Sequence, residues 1–129
     1  MKKQKSLPFN FVLEQLQRLH PLVKPMFGCH AIYIGEEMML VLRKKKNIDS
    51  DNGVWLASAK DHHKELKKIL PSLRSISIFG TGESDWQIIP EDSDHFEEEV
   101  MAACDLILKR DPRIGKIIRI KKKTVNLRR

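Results

Sequence analysis

The feature that most constrains the fold of this chain is a pair of apolar runs separated by a short polar break. The first run, Met26 to Gly35, is rich in residues that favour β-strands, and the second, Met38 to Leu42, is continuously apolar. The break around Glu36 and Glu37 is short enough for a tight turn. Two strands joined by so short a link pair antiparallel, so the sequence predicts a β-hairpin within a largely antiparallel sheet.

Helical spacing and proline positions predict three helices. The first covers about residues 8–20 and ends at Pro21. The second begins at Ser58, with Asp61 at capping-box spacing, and ends at Pro71. The third begins around Asp94 and Glu97 and ends at Asp111-Pro112. Its predicted buried stripe is Phe96, Val100, Ala103, Cys104 and Ile107.

Three more strands are predicted at residues 54–57, 75–79 and 86–89. The resulting order is α-β-β-β-α-β-β-α. We therefore predict a single α+β domain with a mostly antiparallel five-stranded sheet, helices packed on one face, and a basic C-terminal tail.

Charge is distributed unevenly along the 129 residues, whose net charge is +7. Residues 1–108 carry 14 Lys and Arg against 16 Asp and Glu, whereas residues 109–129 carry ten against one. We predict a domain over residues 1–112 and a basic tail over residues 113–129 that binds nucleic acid or an acidic protein surface. A solvated terminus is the alternative. The predicted binding residues are Lys116, Arg119, Lys121, Lys122 and Lys123.

No apolar run approaches the ~20 residues that a membrane-spanning helix needs. The basic N-terminus precedes no apolar segment of the kind found in signal peptides. Two cysteines, Cys29 and Cys104, do not indicate a disulfide framework. We therefore expect a cytoplasmic protein that does not associate with membranes.

A family resemblance follows from five segments. Residues 26–29, Met-Phe-Gly-Cys, continue into residues 31–34, Ala-Ile-Tyr-Ile, and resemble the MFGG-x-G-[LIF]-Y signature of the N-terminal domain of the competence regulator TfoX, also called Sxy. Residues 39–41, 53–56 and 85–90 resemble later strands of that domain. The resemblance covers about residues 8–110 and identifies the chain as a divergent stand-alone relative. It implies the same α+β fold and a role in transcriptional regulation of competence, with no catalytic residues to carry over.

Candidate chemistry is sparse in the sequence. Zinc sites need three or four well-placed ligands, and the spacing of Cys29, His30, His62 and His63 does not supply them. The loop at residues 80–82 lacks the residues of a phosphate-binding motif. We therefore predict a non-enzymatic interaction protein without catalytic residues, metal or cofactor. Two alternatives stay open: a ligand-binding domain or enzyme with a cleft near His30, His62 and His63, and a homodimer formed through a sheet face or edge.

Overall fold

The computed structural model of the protein describes residues 7–46, 51–77 and 85–117. These residues form an α+β fold with one antiparallel sheet, whose order is β1-β2-β3-β4-β6-β5, and β7 pairs with β3. The strands are β1 Leu22–Met26, β2 Cys29–Ile34, β3 Glu37–Arg43, β4 Gly53–Ala57, β5 Arg74–Ser75, β6 Trp86–Pro90 and β7 Lys116–Ile117. The helices are α1 Phe11–Leu16, α2 His63–Ile69 and α3 Phe96–Leu108, with short 3-10 turns at Gln17–Leu19 and Lys60–His62.

The predicted hairpin is confirmed as β2 and β3, which pair antiparallel from His30 opposite Leu42 to Ile34 opposite Glu37. The register shifts by one residue along this pair, because Ile32 lies opposite Leu40 and Tyr33 lies opposite Met38. The extra residue is Met39, which forms a β-bulge.

The five-stranded prediction is wrong in strand count and order, because the described residues contain seven strands. Strand β1 is not among the predicted strands, since Pro25 breaks a helix and removes a backbone donor. Among the described residues β1 is an edge strand that pairs with β2 alone, and an edge is where a sheet tolerates proline. A two-residue loop of Phe27 and Gly28 joins these strands, with φ of 51° and 78°, as a type I′ turn requires.

All three helices pack on one face of the sheet, as predicted. The main core joins Val12 and Leu16 of α1, Leu66 of α2 and the α3 stripe to inward side chains of the central strands. The predicted stripe of α3 is confirmed, because all five of its residues are buried. The opposite face carries a second apolar cluster that includes Val41, Trp55 and Ile88. The Trp55 and Trp86 rings meet there with centroids 5.8 Å apart.

Helix starts differ from the capping predictions. Ser58 does not cap α2, because the 3-10 turn that precedes the helix has Ala59 as its N-cap and α2 has His62. The Ser58 hydroxyl donates to the Arg113 carbonyl oxygen at 2.7 Å. The turn Lys60–His62 precedes α2, which begins at His63. Similarly, α3 begins at Phe96 after His95, with no side-chain cap from Asp94.

The C-terminal segment adds a strand to the sheet. The sequence predicts that the tail begins at residue 113, yet Ile114 is buried in the main core and Gly115 N–H donates to the Ala57 carbonyl at 2.8 Å. Strand β7 then pairs with the first residues of β3, Glu37 and Met38. Residues 113–117 are therefore integrated into the folded domain.

Three other predicted features extend beyond the described residues. The strand expected at residues 75–79 is described only through Ser77, and β5 covers Arg74–Ser75. The loop at residues 80–82 and the tail after Ile117 lie outside the description. No helix within the described ranges is long and apolar enough to cross a membrane.

Candidate interaction surface

The first of the predicted binding residues, Lys116, lies in β7 at the end of the sheet where β4 terminates. Its ammonium donates to the Asp85 carboxylate with Nζ and Oδ2 2.5 Å apart. That hydrogen bond lowers the pKa of Asp85 below its ordinary value, and the nearby charges of Lys60 and His63 act in the same direction. Lys116 is therefore paired within the domain.

Arg113 is also neutralised by neighbouring acids. Its guanidinium lies 2.7 Å from the Asp111 carboxylate and 3.5 Å from that of Glu65. Side-chain and backbone hydrogen bonds from Arg113 lower the pKa of Asp111 to about 2. Arg113 and Lys116, the basic residues between positions 113 and 117, are thus both paired with acids of the same domain.

Because Arg113 and Lys116 are paired, the unbalanced positive charge of the C-terminal segment lies after residue 117. Residues 1–117 carry 18 Lys and Arg against 17 Asp and Glu, which is close to neutral. Residues 118–129 carry six basic residues and no acid. Four of the five predicted binding residues, Arg119 and Lys121 to Lys123, fall in this last segment and outside the described residues.

The two basic segments of the sequence begin at opposite ends of β3. Strand β7 places Ile117 opposite Glu37, the first residue of β3, whereas Arg43 is the last residue of β3 and Lys44 to Lys46 follow it. Six residue steps of extended strand span about 20 Å. Arg43 is only 1% exposed and donates to the Asn52 Oδ1 at 3.2 Å, and Lys44 pairs with Glu91. The described part of the chain does not join these segments into one basic face.

The three candidate histidines do not lie together. His30 of β2 lies opposite Leu42 of β3, and Leu42 in turn lies opposite Val54, near the start of β4. His63 lies beyond the end of β4, where its Nε2 donates to the Ser58 carbonyl at 3.2 Å. His62 is the last residue of the 3-10 turn, and His63 is the first residue of α2. Among the described residues, no cluster of three or more His, Cys, Asp or Glu is arranged to hold a metal ion.

Both thiols are buried in environments that suppress the thiolate. Burial raises the pKa of Cys104 to about 12. Burial also raises the pKa of Cys29, and the positive charges of Arg43 and Lys45 only partly oppose it. Cys29 Sγ lies 3.7 Å from the Phe27 carbonyl oxygen. A thiol held neutral in this way is a poor nucleophile.

We therefore expect both cysteines of the native protein to react with Ellman's reagent on the order of a hundredfold more slowly than in guanidinium-unfolded chain. The measurement is the absorbance time course at neutral pH, with Cys29→Ser and Cys104→Ser assigning each phase. Native Cys29 reacting as fast as an unfolded thiol would contradict this expectation and support a nucleophilic role.

Two residues with unusual burial for their type are not indicated by the sequence patterns. Phe27, at the β1–β2 turn, is 80% exposed, and Asp51 is completely buried. The exposure of Phe27 follows from its place in the two-residue turn between β1 and β2, which is not apparent while β1 is unpredicted. Asp51 had no local signal, because its partners Arg74 and Ser77 lie more than twenty residues away.

No family model matches this chain, and no curated protein or solved structure matches it either.

Proposed function

We propose that this chain is a small non-enzymatic interaction protein that binds nucleic acid through the basic segment after Ile117. The observation that carries this proposal is the charge balance. The described domain pairs Lys116 and Arg113 with its own acids, while residues 118–129 add six positive charges without a counter-charge. A run of cations on one segment gains affinity for phosphates by releasing condensed counterions.

The fold supports this role by anchoring the root of the segment. Ile114 in the core, the Gly115 hydrogen bond and the β7 pairing hold residues 114–117 against the sheet. Because β7 runs antiparallel to β3, its last residue, Ile117, lies opposite Glu37 and beside the turn at Gly35 and Glu36. The basic residues are thus attached to a rigid body at a defined point.

The resemblance to the TfoX N-terminal domain supports placing this binding in transcriptional regulation, with competence genes as the implied setting and the cytoplasm as the site of action. Phosphate contacts from a basic segment supply affinity without reading base sequence. We therefore propose that sequence selection, where it occurs, comes from a partner protein. An acidic protein surface is the competing partner for the same cations.

Neutralising the segment tests the proposal. We expect the quadruple change to glutamine at Arg119, Lys121, Lys122 and Lys123 to weaken binding to a mixed-sequence DNA duplex at least tenfold at low salt, because several phosphate contacts are lost. Fluorescence anisotropy of a labelled duplex measures the dissociation constant.

A matched control removes four exposed charges from elsewhere on the domain. The residues are Arg18, Lys64, Lys68 and Lys109, all changed to glutamine. Equal weakening in both variants would show that net charge alone governs binding. Unchanged binding in the segment variant would exclude the segment as the contact, and selective loss of binding to an acidic protein surface would favour the competing partner.

A further inference from the structure

The tip of the β1–β2 hairpin displays an aromatic ring in a costly backbone conformation. Phe27 and Gly28 form a two-residue loop in which both φ angles are positive. Such turns favour Asn, Asp and Gly, and a bulky residue at positive φ is a genuine outlier. Phe27 is 80% exposed, so packing within the described domain does not compensate for this cost.

Positive charge lies at the same turn, beside Gly28. The Lys45 ammonium occupies the space that a Cβ on residue 28 would fill, so it lies against the residue that follows Phe27. Lys46 is exposed on the same loop. Lys24 on β1 does not add to this charge, because its ammonium lies 4.7 Å from the ring centroid of Tyr33, which pairs with Leu22 at the far end of the strand. Residues 15–35, which include the turn, contain no Asp or Glu.

One exposed ring and one ammonium at the same turn fit the two chemical faces of a nucleotide. A base offers a flat π surface for stacking, and the phosphate beside it offers negative charge. Membrane insertion needs a larger exposed apolar area than one ring. Leu22, an exposed apolar residue of β1, lies at the opposite end of that strand from Phe27. A duplex hides its base faces, whereas a single strand exposes them.

We propose that the hairpin tip, defined as Phe27, Gly28, Lys45 and Lys46, binds single-stranded nucleic acid. Phe27 stacks on an unpaired base, and Lys45 and Lys46 contact the neighbouring phosphates. This surface lies at the end of β3 opposite to Ile117, where the basic segment begins. It deepens the proposed function by adding a base contact that the segment, which has no aromatic residue, does not supply.

Phe27→Asn is the decisive variant because it removes the ring and installs a residue that the turn prefers. Thermal unfolding should show a midpoint equal to or above that of the parent chain. We expect about tenfold weaker binding to a labelled oligothymidylate and unchanged binding to an abasic strand of equal length, since only the former can stack. Phe27→Trp should restore the oligothymidylate affinity.

The same comparison in the segment-neutralised variant separates this proposal from the proposed function. Loss of the segment charges should weaken binding to the oligothymidylate and to the abasic strand alike. The preference for oligothymidylate over the abasic strand should persist. Equal affinity of Phe27→Asn and the parent for oligothymidylate would overturn the stacking proposal and leave the segment proposal standing. Phe27-dependent binding to phosphatidylserine vesicles without Phe27-dependent binding to oligothymidylate would also overturn it, in favour of a membrane contact.

Discussion

A chain that ends at Pro112 should lose most of its stability, whereas a chain that ends at Ile117 should unfold at nearly the same urea concentration as the full protein. The five intervening residues include Ile114, which is 3% exposed in the main core. Removing a buried aliphatic side chain of this size costs about 2–5 kcal/mol. The hydrogen bonds of Gly115 N–H to Ala57 and of Ser58 to the Arg113 carbonyl would add about 1 kcal/mol each.

That combined loss approaches the entire stability of an ordinary domain, which is about 5–15 kcal/mol. Urea unfolding followed by tryptophan fluorescence measures it, because Trp55 and Trp86 both lie on the sheet. Ile114→Ala in the full chain should reproduce the side-chain part of the effect. Equal midpoints for the two truncated chains would contradict the assignment of residues 113–117 to the fold.

Asp51→Ala should destabilise the protein by about 3 kcal/mol, the largest effect expected of any carboxylate substitution in the described domain. Asp51 is completely buried, and its Oδ1 accepts from Arg74 at 3.1 Å while its Oδ2 accepts from Ser77 N–H at 2.8 Å. Breaking a buried ion pair by removing one partner costs about 3–5 kcal/mol. We place the effect at the lower end because the Arg74 side chain is 38% exposed and water can solvate it.

The same urea experiment measures this effect, with Asp61→Ala as its control. Asp61 is exposed in the 3-10 turn, and a surface substitution of this kind changes stability by about 0.5 kcal/mol or less. Asp51→Asn keeps one acceptor and should fall between the two. An Asp51→Ala midpoint equal to that of Asp61→Ala would show that the buried carboxylate does not join the loop before β4 to the segment after β5.

Local patterns predicted those parts of the fold that depend on local chemistry. The β2–β3 hairpin and the buried stripe of α3 follow from short-range spacing, and both are confirmed. Strand β1 was missed because Pro25 is compatible with a strand only at a sheet edge, and edge position is a property of the whole sheet. The predicted Ser58 cap is wrong because the helical residues begin after Ala59, and the Ser58 hydroxyl instead joins the chain to the Arg113 carbonyl, 55 residues away, which local spacing does not indicate.

The candidate surface also has one part that local sequence predicts and one part that depends on distant residues. Counting charges along the chain located the basic C-terminal segment, which needs no structure. The pairing of Lys116 with Asp85 joins residues 31 positions apart and therefore could not be predicted from local sequence. It changes which cations are available, because charge counting alone treats Lys116 and Lys121 as equivalent.

The salt dependence of DNA binding tests the central claim most directly, namely that a fold complete at Ile117 carries a separate phosphate-binding segment. For a mixed-sequence duplex, each neutralised phosphate contributes about 0.9 to the slope of log affinity against log salt concentration. We predict that the chain ending at Ile117 keeps its unfolding midpoint while this slope falls by about 3–5 relative to the full protein. Identical slopes for the two chains would contradict the claim.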